Sequence, residues 1–317
     1  MVSELGDRLC ENIEKVIVGK REEIRICLAA LLCGGHVLLE DVPGTGKTLL
    51  CKTLARSLGV SFARVQFTPD LLPTELTGLS VFHPGTGEFS FRRGSLFAHI
   101  VLADEINRAA PRTQSGLLES MEEHTVSVDG TTHPLPDPYF VLATQNPVET
   151  QGTFPLPEAQ LDRFLIRLGL GYPAREESES ILRRFIGGKP MPEIRPVCSL
   201  EAFLEARAQV GRVFLHDDIH HYIVAIAEAT RAHSAVALGL STRGALALAR
   251  AAQARAALEG RDFAVPEDIK ALAPYVVPHR LILRAGRAER QLAVLREILA
   301  TVPVPVENWK QPDGERL

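Results

Sequence analysis

Cysteine is scarce in this chain, and the patterns that would join cysteines to each other or to a metal ion are missing. The five cysteines among 317 residues are odd in number and include no Cys-x-x-Cys pair. A disulfide framework of the kind found in small secreted domains is therefore excluded. We expect reduced, mostly buried thiols and a cytoplasmic location, the cysteines being Cys10, Cys27, Cys33, Cys51 and Cys198.

Long hydrophobic runs are also missing. The longest uncharged apolar stretch, Ile26 to Leu39, is interrupted by Gly34, Gly35 and His36. It falls short of the ~18 apolar residues expected of a transmembrane helix. The first residues carry too many charges for a signal peptide. We therefore expect no transmembrane segment.

Neither sign of charge dominates the sequence. Thirty-five Lys and Arg residues stand against 39 Asp and Glu residues, so the net charge is −4. This balance excludes a dominant basic surface, and we expect no direct nucleic-acid partner. The apolar fraction of 45% and the charged fraction of 23% are typical of a globular protein. The length is about twice that of a ~150-residue domain, which favours two domains.

The N-terminal half alternates strand-like and helix-like segments. Apolar spacing predicts a leading helix around Leu5 to Ile17 and a second over Arg21 to Leu32. Short apolar runs then alternate with helical stretches, which is typical of a parallel sheet covered on both faces. The predicted strands are His36–Glu40, Phe62–Phe67, His99–Ala103, Phe140–Thr144 and Leu165–Leu170. The predicted helices among them are Thr48–Ser57, Pro111–Glu123 and Glu158–Arg163.

Two segments of this half read instead as hairpins. Leu79 to Leu96 holds two strand-like runs around a Pro-Gly-Thr-Gly turn, and Thr125 to Leu135 contains an Asp129-Gly130 turn signal.

The C-terminal part is predicted to be a small all-α domain. Beyond Pro173 the strand-like runs stop, and five helical segments follow: Leu200–Gln209, His216–Ala232, Thr242–Leu258, Pro266–Ala273 and Ala288–Ala300. A loop is expected around Gly187-Gly188, and a proline-rich tail beyond Pro303. The predicted domains are an α/β core over residues 1–172 and a linker with a helical domain over residues 173–317.

A glycine-containing turn joins the first predicted strand to the following helix. Gly44 and Gly46 let backbone amides turn toward an anion at the helix N-terminus, Lys47 adds a positive charge, and the Thr48 hydroxyl can reach Mg2+. The strict pattern has Gly where this chain has Asp41, a departure at the outer edge of the loop. The residues predicted to bind nucleotide phosphates are Val42, Pro43, Gly44, Thr45, Gly46, Lys47, Thr48 and Leu49.

A second apolar strand ends in two adjacent carboxylates, Asp104 and Glu105. Hydrolysis of a phosphoanhydride assisted by a metal ion needs one carboxylate for the metal and another to activate water. We therefore predict that Asp104, together with Thr48, holds Mg2+, and that Glu105 is the catalytic base.

A third strand ends at Asn146, whose amide is predicted to orient the water or to contact the γ-phosphate. Phosphoryl transfer also requires positive charge on the transition state, which an arginine commonly supplies. Arg163 and Arg243 are the candidates, although either could be an ordinary surface residue.

These segments together resemble the MoxR family of AAA+ ATPases, from about Val16 to about Leu299. The motifs that carry the resemblance are Leu38–Thr48, Asp104–Ala109, Leu117–Glu123, Ala143–Pro147 and Leu156–Phe164. The resemblance identifies Lys47 and Thr48 with Walker A, and Asp104 and Glu105 with Walker B. It also identifies Asn146 with sensor 1, Arg163 with the arginine finger and Arg243 with sensor 2.

The resemblance implies a P-loop core with a parallel sheet and two inserted hairpins, an α-helical lid, and Mg2+-dependent ATP hydrolysis. It further implies a homo-oligomer, most simply a hexameric ring, with nucleotide at each subunit boundary. Such proteins act as chaperone-like remodellers in maturation or cofactor insertion of a partner complex, together with a separate von Willebrand factor A domain protein. Phe82, Phe89 and Phe91 of the first hairpin either contact an apolar protein client or pack against their own subunit; the sequence leaves both open.

Two other functions stay open on the sequence. One is a magnesium-chelatase-like motor subunit, and the other is a nucleotide-gated binding module with little turnover. Glu105 argues against the second, and the sequence lacks the Asn-Lys-x-Asp motif of a GTPase. Arg108 is a third candidate for the arginine that acts on a neighbouring subunit.

Overall fold

A computed structural model of the chain describes residues 1–146, 152–186, 192–285 and 289–305. The predicted loop at Gly187-Gly188, Pro147 and most of the proline-rich tail lie outside these residues. The helices are α1 (Val2–Glu14), α2 (Arg21–Leu32), α3 (Lys47–Leu58), α4 (Pro73–Thr77), α5 (Pro111–Glu123), α6 (Glu158–Leu161), α7 (Arg175–Ile186), α8 (Leu200–Val210), α9 (Asp217–Ala232), α10 (Thr242–Leu258), α11 (Pro266–Val276) and α12 (Glu289–Thr301). The strands are β1 (Val37–Glu40), β2 (Phe62–Gln66), β3 (Gly78–His83), β4 (Glu88–Arg93), β5 (Ile100–Asp104), β6 (Thr125–Val128), β7 (Thr131–Pro134), β8 (Phe140–Gln145), β9 (Ile166–Leu168), β10 (Val236–Leu238) and β11 (Ile282–Leu283).

The centre of the molecule is a parallel sheet of five strands in the order β2-β5-β8-β1-β9. Successive side chains of a strand point to opposite faces. In β5, Ile100 and Leu102 accordingly join the apolar cluster on one face of the sheet, whereas Val101 and Ala103 join the cluster on the other. Both faces are therefore buried, as the runs of apolar residues predict.

The two N-terminal helices lie between the sheet and the C-terminal helices. Helix α1 contacts α3 on the sheet side and α8 and α10 on the other side, and α2 also packs on α10. One continuous apolar core therefore contains residues from both sides of the expected domain boundary. The division at 172/173 remains a prediction.

Both predicted hairpins are present. Strands β3 and β4 pair antiparallel, as do β6 and β7. The hairpins contact each other, because the ring of Phe91 stacks on His133 with centroids 4.0 Å apart. Phe82 and Phe89 pair near the tip of the first hairpin at 5.1 Å and are 49% and 71% exposed. The three phenylalanines thus divide into an exposed pair and one ring packed between hairpins.

The C-terminal region is mostly helical, but the predicted all-α domain also contains one short pair of strands. Strands β10 and β11 form a short antiparallel pair between helices. The runs are only three and two residues long, too short for an apolar alternation to appear in the sequence. Among the helices described, none is both long and apolar enough to cross a membrane.

His36 precedes β1 and is 3% exposed beneath Tyr139 and Phe140. Its Nδ1 accepts a hydrogen bond from the Val141 amide at 3.0 Å, and its Nε2 lies 3.0 Å from the Met121 carbonyl oxygen. This arrangement suits a neutral ring that donates from Nε2. Burial lowers the pKa of His36 to about 4.

This buried histidine predicts a loss of stability in mild acid. The unfolded chain binds a proton near pH 6.5 that the folded ring does not bind until about pH 4. The contribution of His36 is therefore complete above pH 6.5 and falls as the pH drops toward 4, by on the order of 3 kcal/mol. Urea unfolding of the wild type and of His36→Gln between pH 6.5 and pH 4 measures this contribution to the free energy of unfolding. Equal pH slopes for the two proteins would contradict the assignment.

Candidate functional site

The turn between β1 and α3 has the backbone that an anion-binding loop requires. Gly44 and Gly46 adopt φ values of +86° and +92°, a region that L side chains rarely occupy. Gly46 is the residue immediately before α3, so the first amides of that helix face the turn. A helix N-terminus carries unsatisfied N–H groups and a partial positive charge, which suits a phosphate. Residues Val42 to Leu49, predicted from the sequence, form this turn and the start of α3.

Lys47 folds back over the turn. Its Nζ donates to the carbonyl oxygens of Asp41 and Val42 at 2.9 and 3.2 Å. The ammonium therefore lies above the same turn as the amides of α3.

Asp41, where the strict pattern has glycine, fastens the turn. Asp41 is 8% exposed, and its carboxylate accepts hydrogen bonds from the Val42 amide and from the Gly171 amide, both at 2.9 Å. Among the residues described, Asp41 is not one of the left-handed positions. Glycine is therefore not required here, and the departure leaves the turn intact.

Asp104 is the last residue of β5, and the sheet register sets its surroundings. It pairs with Gln66 of β2, and the preceding residue, Ala103, pairs with Ala143 of β8. Asp104 continues the face of Ile100 and Leu102, which α3 covers. Its carboxylate therefore points to the same side of the sheet as the phosphate turn.

Glu105 has a left-handed backbone, with φ of 58° and ψ of 50°. Such a conformation is unfavourable for a residue other than glycine, and where it occurs it often marks a functional site. The strand stops at this residue and the side chain leaves the alternation of β5. Its Oε2 accepts from Gln66 Nε2 at 2.7 Å and lies 3.1 Å from Arg108 Nε.

Thr144 of β8 connects the carboxylate of Asp104 to the backbone of Glu105. Its hydroxyl donates to Asp104 Oδ1 at 2.6 Å and accepts from the Glu105 amide at 2.8 Å. Thr144 is 1% exposed, so neither bond competes with bulk water. The sequence analysis did not single out this residue, although it precedes Asn146 by only two positions.

Two further polar residues of β2 were also missed. Arg64 donates to Asp104 Oδ2 from Nη2 at 2.7 Å and from Nε at 3.2 Å, and Gln66 binds Glu105. The sequence signal is a pair of polar residues two apart in a strand, which places them on one face. Their position beside β5 follows only from the strand order.

These groups line one cavity of about 440 Å³ at the carboxyl end of the sheet. The lining residues are Pro43, Gly44, Gly46, Lys47, Thr48, Leu49, Arg64, Gln66, Asp104, Glu105, Thr144 and Asn146. The predicted phosphate turn, both carboxylates and Asn146 therefore converge. In open α/β sheets this edge is where ligands bind.

Arg163 and Arg243 line a different cavity, also of about 440 Å³. Arg163 Nη2 lies 3.2 Å from Glu122 Oε2, and Arg243 Nη1 lies 3.0 Å from Glu122 Oε1. The structure thus brings the two arginines together, but away from the phosphate turn of their own chain.

The donor set of the first cavity fits a nucleotide with Mg2+. The amides and Lys47 suit phosphate oxygens, and the Thr48 hydroxyl and Asp104 carboxylate are the hard oxygen ligands that Mg2+ prefers. Asp104 already binds a cationic group, the Arg64 guanidinium, at the oxygen that its bond to Thr144 leaves available.

Comparisons with known proteins agree with this geometry. Residues 36–166 match the ATPase family associated with various cellular activities (AAA), and residues 228–299 match the AAA lid domain. The chain is 51% identical to the uncharacterised protein YeaC of Bacillus subtilis over 301 residues, 94% of each protein. It is 40% identical to Chaperone MoxR1 of Mycobacterium tuberculosis, covering 98% of this chain and 85% of that one.

A solved structure, described as that of a proposed ATPase from Cytophaga hutchinsonii, superposes with a TM-score of 0.88 at 37% identity and 96% coverage of both chains. The resemblance and the fold inferred from the sequence are confirmed by these matches. The chain is an ATPase that belongs to the MoxR family of AAA+ proteins.

Proposed function

We propose that this chain hydrolyses ATP with bound Mg2+ inside a homo-oligomer and uses the hydrolysis to remodel a protein client. The observation that carries the proposal is the meeting of the phosphate turn with Asp104 and Glu105 in one cavity. A triphosphate bound to the turn would lie beside one carboxylate suited to a metal ion and another suited to activate water.

Each residue near the phosphates has a distinct part in this proposal. Residues Val42 to Leu49 would surround the phosphate chain, and the backbone N–H groups of Gly44 to Leu49 would bind it. Lys47 would neutralise its charge after leaving the carbonyl oxygens that it contacts here. Thr48 and Asp104 would hold Mg2+. When bound, the ion would neutralise charge on the phosphate oxygens.

Glu105 is the proposed base, and Asn146 the proposed group that orients the attacking water. Gln66 holds Glu105 through its carboxamide at 2.7 Å in this arrangement. Thr144 holds both the Glu105 backbone and the Asp104 carboxylate, which restricts the positions of the base and the metal ligand. Positioning of this kind contributes much of the rate in phosphoryl transfer.

The positive charge that completes the site comes, we infer, from a neighbouring subunit. Arg163 and Arg243 bind Glu122 in a separate cavity of their own chain. An oligomer, most simply a hexameric ring, would bring this cavity against the next subunit's nucleotide. Arg108 contacts Glu105 of its own chain, so it is the weaker candidate for action on a neighbour.

The work of hydrolysis would be transmitted to a client through the hairpins. Phe82 and Phe89 form an exposed aromatic pair on the first hairpin, and Phe91 links that hairpin to the second through His133. The name of the relative Chaperone MoxR1 supports a chaperone-like role. We propose cytoplasmic maturation or cofactor insertion in a partner complex, with a separate von Willebrand factor A domain protein.

Two substitutions separate nucleotide binding from hydrolysis. Lys47→Ala is expected to weaken ATP binding strongly, because it removes the only lysine in the phosphate turn. Glu105→Gln should bind ATP normally but lose at least about 100-fold in kcat, the usual contribution of a general base. Binding of a fluorescent ATP analogue and phosphate release measure the two effects. Normal turnover by Glu105→Gln would remove Glu105 from the proposed role.

The Thr144 bridge predicts a specific defect. Thr144→Val replaces the hydroxyl with a methyl group of similar size and should lower kcat by about 10-fold or more through misplaced carboxylates. Thr144→Ser retains the hydroxyl and should keep most of the activity. Steady-state ATPase assays compare them, and equal kcat values for Val and Ser would show that the bridge has no part in hydrolysis.

The intersubunit arginine predicts complementation. Arg163→Ala should bind ATP but lose about 10³-fold in kcat, as for an arginine finger. Mixing it with Lys47→Ala subunits, which carry Arg163, should restore hydrolysis. The wild-type rate per chain should also rise steeply with protein concentration. A flat, slow rate would favour a nucleotide-gated binding module, and absence of complementation would favour Arg243 or Arg108.

A further inference from the structure

The second cavity combines an excess of positive charge with two carboxylates. It lies where the C-terminal end of α5 and the segment after α6 meet α10. Its charged lining consists of Arg163, Arg243, Arg250 and Arg280 against Glu122 and Asp162. Four guanidinium groups in such a space repel one another unless carboxylates separate them.

Asp162 mainly serves the buried arginine. Arg280 is 9% exposed, and its Nε donates to Asp162 Oδ1 at 2.7 Å. Arg280 also donates to the carbonyl oxygens of Phe164 and Leu165 at 2.8 and 3.2 Å. With its donors directed at the chain itself, Arg280 connects the core to the C-terminal helices and is not available to a ligand.

Glu122 binds Arg163 and Arg243 through its two oxygens, whereas Asp162 binds Arg280 and lies 3.8 Å from Arg243 Nε. Oε2 takes Arg163 at 3.2 Å and Oε1 takes Arg243 at 3.0 Å. The side chains of Arg163 and Arg243 are 29% and 52% exposed, so both guanidiniums retain surface for another anion. Each of these two ion pairs involves one terminal nitrogen of an arginine that has five N–H donors.

The three residues come from separate parts of the chain. Glu122 lies in the last turn of α5, Arg163 follows α6, and Arg243 lies in the first turn of α10, where Ser241 caps the helix by accepting from the Gly244 amide at 3.0 Å. Glu122 is therefore the carboxylate that joins an arginine of the core to one of the C-terminal helices.

We propose that Glu122 is a positioning residue that holds Arg163 and Arg243 as one pair, directed at the nucleotide of the neighbouring subunit. The inference rests on the proposed function, because it assumes that these arginines act between subunits. The carboxylate offsets the repulsion between the two guanidiniums and restricts their rotamers, while their remaining N–H donors meet the phosphate charge. Without Glu122 the arginines remain present but no longer converge.

Mixed oligomers test this role. Glu122→Ala is expected to bind ATP as the wild type does and to lose at least about 10-fold in kcat with little change in KM, since its own phosphate turn is intact. Mixing with Lys47→Ala subunits, which supply intact Glu122, Arg163 and Arg243, should restore hydrolysis. Glu123→Ala, a change of the adjacent exposed glutamate, is the matched control and should keep full activity.

A second comparison separates positioning from folding. Thermal melting should show Glu122→Ala folded, and Glu122→Asp, which retains the charge, should recover part of the kcat. In an Arg163→Ala, Arg243→Ala background, adding Glu122→Ala should cause no further loss, because nothing is left to position. An additional loss there, or full activity of Glu122→Ala alone, would overturn the inference.

The outcomes also distinguish this inference from the function on which it rests. If Arg163→Ala is restored by Lys47→Ala subunits but Glu122→Ala is not, Glu122 has another role while the intersubunit arginine stands. If neither variant is restored, Arg163 does not act between subunits, and the premise of this inference fails.

Discussion

The parallel alignment of β1, β5 and β8 is the constraint on which the site depends. Parallel strands end at the same edge of a sheet, so residues forty or more positions apart in sequence meet there. The phosphate turn follows β1, Asp104 and Glu105 end β5, and Thr144 lies near the end of β8. A shift of one residue in the register of β8 would reverse the faces of its side chains and break the Thr144 bridge.

Charge is arranged differently in the two cavities. In the first, each cationic side chain is bound to an oxygen of its own chain: Lys47 to a backbone carbonyl oxygen and Arg64 to the Asp104 carboxylate. A bound nucleotide with its cation would replace these contacts. In the second, four arginines stand against two carboxylates, and Arg163 and Arg243 are partly exposed. One cavity is thus suited to receive a triphosphate with its cation, and the other to face an anion held elsewhere.

Local sequence patterns predicted most of the fold because each depends on neighbouring residues. The period of apolar residues gave α2, α5 and α10 with their observed bounds, and the turn signals gave both hairpins. The β10–β11 pair was missed, because strands of three and two residues are too short to show an alternation of apolar and polar residues. The phosphate turn, Asp104 and Glu105 were predicted because they stand beside strand ends that the sequence marks.

Residues recruited through tertiary contacts were out of reach of the same reasoning. Arg64 and Gln66 become part of the site only because β2 pairs with β5, a strand order that no local pattern encodes. Glu122 acquires its partners from two distant segments, and its sequence neighbours look like an ordinary charged helix end. Long-range pairing therefore determines which polar residues join a site whose centre the sequence already indicates.

Asp41 gives the phosphate turn a mechanical connection that glycine could not provide. Its carboxylate bonds the Val42 amide on one side and the Gly171 amide on the other, just before the chain leaves the sheet for α7. A displacement of the turn must therefore either stretch the bond to Gly171 or carry that exit segment with it. A single side chain thereby couples phosphate binding at the turn to the direction of the backbone that leads toward the C-terminal helices.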